Sequence, residues 1–206
     1  MNLPFAHLNL RYNPFGEVPL SERGSLAVTQ LDMDRLVSRL QQPGFVKMFL
    51  GDCGRGKTTH LLALREHLPD APYLHFREDE PIPPIPEAPI VFLDELQRVP
   101  TRMRRKLYRR TASWVIGSHE NHAREMQNAG LEVEVTEFDG VEVEQLMQML
   151  NTRIIRAARV VGDPLPRVGE NAARRLVEIY YDDIRAMEGF LYEQFQQMSE
   201  VQDVEV

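Results

Sequence analysis

One short segment combines three glycines, a lysine and two threonines directly after an apolar run. Residues 51–58 read GDCGRGKT and match the pattern G-x-x-x-x-G-K-[ST] at every fixed position. The glycines permit a tight turn whose backbone N–H groups point inward, and the start of the following helix adds a positive field. The residues predicted to surround phosphate oxygens are Gly51, Asp52, Cys53, Gly54, Arg55 and Gly56. A strand-to-helix turn without a ligand is the simpler alternative.

The side chains that follow this loop predict nucleotide and metal binding. Lys57 can reach the terminal phosphates, and the Thr58 hydroxyl can ligate Mg²⁺, with Thr59 beside it. In the segment PIVFLDELQR, Asp94 ends a buried strand, where open parallel sheets form their ligand crevice. We expect Asp94 to hold Mg²⁺ through water and Glu95 to orient or polarise an attacking water. A solvated strand end is the alternative for these acids.

A third apolar strand, SWVIGS, also ends in polar residues. One of these side chains can lie between the metal and the γ-phosphate and sense the phosphate. Ser118 is the preferred residue because it comes first after the apolar run, and His119 is the second choice. A strand-end turn with a capping serine or asparagine is the alternative.

Residues 101–111, TRMRRKLYRRT, predict a basic helix in an otherwise acidic chain. Met103 and Leu107 are expected to face the core. The cationic side chains are Arg102, Arg104, Arg105, Lys106, Arg109 and Arg110. This helix can bind nucleic-acid phosphates or an acidic partner such as a neighbouring subunit. A solvated face paired with the protein's own acids is the alternative.

The elements that must position these residues alternate between strands and helices. Strands are predicted at 45–50, 73–76, 90–95, 113–118 and 131–138. This alternation indicates a parallel α/β sheet covered on both faces. After Gly140 only amphipathic helices follow. The predicted domains are therefore an α/β nucleotide-binding core with an N-terminal arm at 1–140 and a small helical unit at 141–206.

Composition limits the classes of function. The chain has 206 residues and a net charge of -7, so DNA contact would need a local patch rather than a generally basic surface. A single cysteine excludes an internal disulfide and fits a reducing compartment. The N-terminus does not have the pattern of a signal peptide, and no apolar run reaches transmembrane length. The sequence predicts a cytoplasmic protein without membrane insertion.

Taken together, these segments resemble an AAA+ P-loop ATPase, in the branch that includes the ExeA-like, TniB/TnsC-like and Orc-like ATPases. Residues 51–58 are similar to Walker A, Asp94 and Glu95 to Walker B, and Ser118 to sensor 1. The resemblance covers nearly the whole chain. It implies a P-loop NTPase fold with a five-stranded parallel sheet flanked by helices and a small C-terminal helical lid, with ATP at their junction. It also implies that a neighbouring subunit often completes the site.

The resemblance extends to residues outside the three motifs. Asn13, Pro14 and Phe15 in YNPFG are similar to the stretch that borders the adenine pocket in this branch. Arg185 matches the sensor-2 arginine of the lid, although Tyr181 and two aspartates stand where the family has a glycine or small residue. Arg124 matches the place of the arginine finger that acts on a neighbouring subunit's nucleotide.

The function predicted from these residues is hydrolysis of ATP to ADP and phosphate, with ATP and Mg²⁺ bound. The nucleotide cycle would drive conformational change and assembly on a protein or DNA partner, and ATP would promote a homo-oligomer. A switch or scaffold that binds ATP without hydrolysing it is the main alternative. A small-molecule kinase is a third class, but Glu95 suits the activation of water better than that of a bound acceptor.

Overall fold

The computed structural model describes residues 4–17, 19, 24 and 31–206. The chain divides into two compact units. The sheet unit comprises Thr29–Phe138, and the helical unit comprises Met1–Val28 together with Asp139–Val206. Among the described residues, no helix is long and apolar enough to cross a lipid bilayer.

The sheet unit contains a five-stranded sheet in which every pairing is parallel. Its strands are β1 (Phe45–Gly51), β2 (Tyr73–His75), β3 (Ile90–Asp94), β4 (Ser113–Ser118) and β5 (Glu132–Phe138). Its helices are α1 (Met33–Leu40), α2 (Lys57–Glu66), α3 (Thr101–Leu107) and α4 (Ala123–Gln127). The strand order is β2-β3-β4-β1-β5. The predicted α/β fold, a parallel five-stranded sheet flanked by helices, is confirmed.

Both faces of the central strands are covered, because every residue of β3 and β4 is buried. Continuous apolar runs of this kind are typical of parallel strands between two helical layers. On one face, Met48 and Trp114 pack with Leu107 of α3 and Met126 of α4. The residues of the other face pack with α1 and α2, and include Leu36, Leu40, Phe49, Leu61, Leu64, Phe92 and Val115.

The strand register brings the ends of three strands to one edge of the sheet. Leu50 of β1 lies opposite Ser118 of β4, and Leu93 of β3 lies opposite Ile116 of β4. The glycine loop, the acids after β3 and the polar residues after β4 therefore follow neighbouring strands at the same edge.

The helical unit contains α5 (Val143–Ala157), α6 (Glu170–Tyr180) and α7 (Ile184–Gln197). The described part of the N-terminal arm packs here: Leu8, Leu10 and Phe15 belong to the core of these helices. Leu10 also pairs with Ala158 in an antiparallel bridge. The sequence prediction placed the arm with the nucleotide-binding core, whereas its apolar side chains are buried in the helical unit.

Candidate functional site

The glycine loop between β1 and α2 has the backbone conformation that its glycines permit. Gly54 and Gly56 both have φ of 84°, in the left-handed region that favours glycine. A Cβ atom at Gly51 would lie 2.8 Å from the backbone oxygen of Phe138. The loop therefore needs glycine at Gly54 and Gly56 for conformation, and at Gly51 for a close approach to β5.

Lys57, the first residue of α2, is buried, with 5% of its surface exposed. Its Nζ donates to the backbone oxygen of Asp52 at 2.7 Å and lies 3.4 Å from His119 Nε2. Burial lowers the pKa of the Lys57 ammonium, although Glu95 and Asp94 partly offset this effect. The side chain is thus a desolvated cation whose direct partners are a carbonyl and an imidazole.

The remaining loop side chains lie around this lysine. Arg55 donates to the backbone oxygen of Phe138 at 3.0 Å and pairs with Asp52 at 3.1 Å, which ties the loop to β5. Cys53 is exposed, and Thr59 is half-buried on the first turn of α2.

Asp94, at the end of β3, is completely buried and surrounded by hydrogen-bond donors. Its Oδ2 accepts from the Thr58 hydroxyl at 2.8 Å and the Tyr73 hydroxyl at 3.1 Å, and lies 3.2 Å from His75 Nδ1. Burial raises the pKa of the Asp94 carboxyl, but the hydrogen bonds from His75, Thr58 and Tyr73 outweigh burial and leave it below its usual range. The same contact raises the pKa of His75. Asp94 is therefore kept ionised.

Two donors to Asp94, Tyr73 and His75, were not predicted as site residues. They lie on β2, and His75 is directly opposite Asp94 in the β2–β3 register. The available signal was the position of YLH on the strand next to β3, but strand order cannot be read from these short segments alone.

Gly117 of β4 is a further site position that the sequence analysis did not single out. A Cβ atom there would lie 2.4 Å from Asp94 Oδ1, closer than real Cβ contacts. A glycine inside an otherwise bulky strand marks a close approach, and here the approaching group is the buried carboxylate.

Glu95 occupies a strained conformation directly after β3. Its φ of 64° and ψ of 42° lie in the left-handed region, which costs a non-glycine residue about 1–3 kcal/mol. Its backbone N–H donates to Asp94 Oδ1 at 3.2 Å. Its carboxylate lies 3.2 Å from His119 Nε2 and 3.4 Å from Arg98 Nε. Backbone strain and side-chain contacts together aim Glu95 toward the end of β4.

The residues after β4 divide the expected sensing role. Ser118 is buried, and its hydroxyl donates to Gln97 Oε1 at 3.1 Å and accepts from the backbone N–H of Glu120 at 3.1 Å. His119 places Nε2 between the Lys57 ammonium and the Glu95 carboxylate. One ring nitrogen cannot accept from Lys57 and donate to Glu95 at the same time, so the state of His119 decides which contact it makes.

The donor set fits a magnesium ion. Mg²⁺ prefers oxygen ligands and is often held by one or two protein side chains, with waters and substrate phosphates as the other ligands. Thr58 and Asp94 supply a hydroxyl and an ionised carboxylate within hydrogen-bonding distance of each other. Among the described residues, no group of three or more His, Cys, Asp or Glu forms a metal cage, which agrees with a site of this open kind.

Other predicted nucleotide-binding residues belong to the helical unit. Asn13 is buried and donates to the backbone oxygen of Tyr192 at 2.9 Å, and its Oδ1 accepts from the Phe15 N–H at 3.0 Å. Arg153 donates to the backbone oxygen of Pro14 at 2.9 Å. This stretch lines a cavity of about 480 Å³. Arg185 is exposed on the first turn of α7.

Arg124 is exposed on α4, in the sheet unit. It lies on the segment that follows the end of β4, so it shares the sheet unit with the glycine loop. Its proposed role on a neighbouring subunit stays a prediction.

The basic segment differs from its prediction in two ways. The helix α3 ends at Leu107, and Arg104 rather than Met103 faces inward. Arg104 is buried and donates to Glu125 of α4 at 3.0 Å and to the backbone oxygen of Val99 at 2.7 Å. Arg104 is therefore wrong as a member of a DNA-binding face, because α4 and the turn before α3 provide oxygens that satisfy a buried guanidinium.

The other cations of this segment vary in exposure. Arg102, Arg105, Lys106 and Arg109 are exposed. Arg110 is half-buried and donates to the backbone oxygens of Ile85 and Pro86 at 3.0 and 3.2 Å. We call Arg102, Arg105, Lys106 and Arg109 the basic face.

No protein-family model matches the chain, and no curated protein matches it. Among solved structures, the chain is similar to the RuvB Holliday junction branch migration motor of Thermotoga maritima, with a TM-score of 0.41 and 12% sequence identity. The match covers 82% of this chain and 69% of that chain. At this level of similarity, the fold of the chain rests on its own strand order and glycine loop.

Proposed function

We propose that the chain is an AAA+ ATPase that binds ATP with Mg²⁺ and hydrolyses it to ADP and phosphate. One observation carries the proposal: the buried Lys57 and the Thr58–Asp94 pair meet Glu95 at one edge of the sheet. A phosphate-binding loop alone fits many nucleotide-binding proteins. A carboxylate next to the metal-binding aspartate is what hydrolysis requires in addition.

Each group has a distinct role in this proposal. Lys57 pairs its ammonium with the terminal phosphates and thereby gains the anion that its buried position lacks. Thr58 and Asp94 hold Mg²⁺, which supplies positive charge to the phosphate oxygens when bound. Glu95 accepts the proton of a water that attacks the γ-phosphate, and ADP leaves with the electron pair of the broken bond.

The test of hydrolysis compares the parent protein with Glu95→Gln. The amide fills the same space without serving as a base, so ATP binding should persist while phosphate release falls by about 10²-fold or more. Calorimetry measures binding, and a phosphate-release assay measures turnover. The matched control is Glu87→Gln, which changes an exposed glutamate of the proline-rich segment.

The alternative function, a switch that binds ATP without hydrolysing it, gives a different result. In that case the parent protein binds ATP and releases no phosphate above the Glu95→Gln background. The position of Glu95 beside Asp94 favours hydrolysis over this alternative.

We also propose that ATP promotes self-association and that Arg124 acts on the nucleotide of a neighbouring subunit. An exposed arginine supplied by another subunit can stabilise the transition state, an effect worth about 10³-fold or more. Specific activity should rise with protein concentration in the parent protein and stay flat in Arg124→Ala. A parent protein whose specific activity is independent of concentration, and which light scattering shows as a monomer in saturating ATP, would contradict this proposal.

The basic face is proposed to bind DNA phosphates, with an acidic protein partner as the alternative. Four exposed cations can neutralise only a few phosphates, so binding should be weak and salt-sensitive, with little sequence preference. Fluorescence anisotropy with a short duplex at low salt, with and without ATP, measures it. Arg105→Gln/Arg109→Gln should weaken binding more than Arg174→Gln/Arg175→Gln, which removes equal charge from α6. Equal effects would assign the basic face to a protein contact.

A further inference from the structure

Gln97 is the one described side chain for which hydrogen bonds are seen both to the Glu95 carboxylate and to residues at the end of β4. It lies on the 3-10 helix Leu96–Arg98, immediately after Glu95, and is half-buried. Its Nε2 donates to Glu95 Oε2 at 2.7 Å. Its Oε1 accepts from the Ser118 hydroxyl at 3.1 Å and from the His119 backbone N–H at 3.2 Å.

The chemistry of these partners allows only one orientation of the amide. A backbone N–H can only donate, so the atom facing His119 must be the oxygen. An ionised carboxylate can only accept, so the atom facing Glu95 must be the NH₂ group. Gln97 therefore uses a donor and an acceptor that no other uncharged side chain of this length provides together.

Arg98 competes for the same oxygen of Glu95. Its Nε lies 3.4 Å from Glu95 Oε2, the atom to which Gln97 donates. A guanidinium attracts a carboxylate more strongly than an amide does, and a bidentate Arg98–Glu95 pair would turn the carboxylate away from the end of β4. The shorter contact with Gln97 holds the carboxylate where His119 Nε2 reaches its other oxygen at 3.2 Å.

We infer that Gln97 is a positioning residue that holds the Glu95 carboxylate against the end of β4 and thereby sets the rate of hydrolysis. This inference rests on the proposed ATPase function. Gln97 acts through Glu95 and does not contact Lys57 or the Thr58–Asp94 pair. Its loss should therefore lower kcat and leave nucleotide binding nearly unchanged.

The experiment uses two substitutions that separate the ends of the amide. Gln97→Met has similar length and removes both the donor and the acceptor. Gln97→Glu keeps an acceptor for Ser118 and His119 but places a negative charge against Glu95. Displacing a catalytic group by about 1 Å can cost about 10²-fold, so kcat should fall by about 10- to 100-fold in Gln97→Met and at least as far in Gln97→Glu.

The affinity for ATP should stay within about threefold of the parent in both variants, because a residue that acts only on the chemical step changes kcat and not binding. Gln41→Met and Gln41→Glu, at the exposed end of α1, make the same chemical changes outside the site and should leave kcat unchanged. Thermal unfolding of each variant identifies any that fail to fold.

A double variant distinguishes positioning from a general structural defect. If Gln97 acts through Glu95, then Glu95→Gln/Gln97→Met should hydrolyse ATP no more slowly than Glu95→Gln alone. Full additivity of the two losses, or a parent-like kcat in Gln97→Met, overturns the inference while the ATPase proposal stands. A parent protein that hydrolyses no ATP overturns both.

Discussion

Two buried lysines in the sheet unit have opposite surroundings. Lys47, in the middle of β1, is 1% exposed, and Lys57, at the start of α2, is 5% exposed. Burying an ammonium is costly unless the charge is paired, so each position needs an explanation. The explanations differ, and the difference separates a structural cation from a functional one.

Lys47 is balanced within the protein. Its Nζ donates to Glu134 Oε1 at 2.7 Å and to the Thr136 hydroxyl at 2.8 Å, both on the neighbouring strand β5. Glu134 in turn accepts two hydrogen bonds from Arg35 of α1, at 2.9 and 2.8 Å. These contacts join β1, β5 and α1, and leave Lys47 no direction in which to bind a ligand.

Lys57 is not balanced in this way. Among the described residues, no carboxylate lies within ion-pair distance of its Nζ, whose contacts are a backbone carbonyl and an imidazole. The lowered pKa of Lys57 reflects this uncompensated burial. A buried cation without its own carboxylate is suited to receive an anion, and the glycine loop beside it has the geometry for phosphate.

The largest expected effect distinguishes the two lysines by ATP binding. Lys57→Met should weaken ATP binding by at least about 100-fold, because it removes charge-assisted hydrogen bonds to the terminal phosphates. The unfolding free energy without nucleotide should change by less than about 1 kcal/mol, since only contacts to neutral groups are lost. Calorimetry and urea unfolding measure the two quantities. Unchanged ATP affinity would remove Lys57 from the site.

Gly117→Ala tests the carboxylate on the other side of the same site. Its Cβ would lie 2.4 Å from Asp94 Oδ1, and Asp94 is held by Thr58, Tyr73 and His75, so the carboxylate must lose some of these contacts. We expect ATP hydrolysis to fall by at least about 10-fold. Gly140→Ala is the matched control, because a Cβ there meets nothing within 4 Å. Equal activities of the two variants would show that Asp94 tolerates displacement.

Lys47→Met should show the reverse of Lys57→Met. Methionine keeps the length of the side chain but removes the donor to Glu134 and Thr136, so the unfolding free energy should fall by about 1–3 kcal/mol. ATP affinity should stay within about twofold of the parent, since Lys47 does not lie in the loop. Urea unfolding with an unchanged m-value checks the first expectation, and calorimetry checks the second. Loss of ATP binding without loss of stability would erase the distinction between the lysines.

The smallest effect concerns acid. The hydrogen bond from Arg35, followed by that from Lys47, lowers the pKa of Glu134 from 4.5 to about 2 against the opposing effect of burial. Because the pKa is lower in the folded state, Glu134 contributes stability above pH 4.5 that is lost as the pH falls toward 2. Glu134→Gln should therefore flatten the dependence of stability on pH in this window. Glu137→Gln, an exposed glutamate of the same strand, should not.

The local parts of the site could be predicted from the sequence. The spacing of Gly51, Gly54 and Gly56 before Lys57 is a complete motif within eight consecutive positions, and the apolar run before Asp94 identifies a buried strand. The donors Tyr73 and His75 could not be predicted, because their contact with Asp94 depends on β2 lying beside β3.

The basic segment shows the same limit. Composition alone predicts a cationic helix, but the rotation of a seven-residue helix depends on what lies beneath it. Glu125 of α4 and the Val99 carbonyl bind Arg104, so this arginine faces inward and Met103 is 37% exposed. A hydrophobicity pattern favours Met103 as the buried residue and does not include the partner that reverses the choice.

By itself, the sequence determined the alternation of strands and helices, the glycine loop and the acids after β3, because apolar periodicity and glycine spacing act over short stretches of chain. Tertiary structure decided which buried charges are paired. Lys47 meets Glu134 because β5 pairs with β1, and Glu95 meets Gln97 and His119 because β3 and β4 end at one edge. Electrostatic pairing depends on distance through space, and strand order sets that distance.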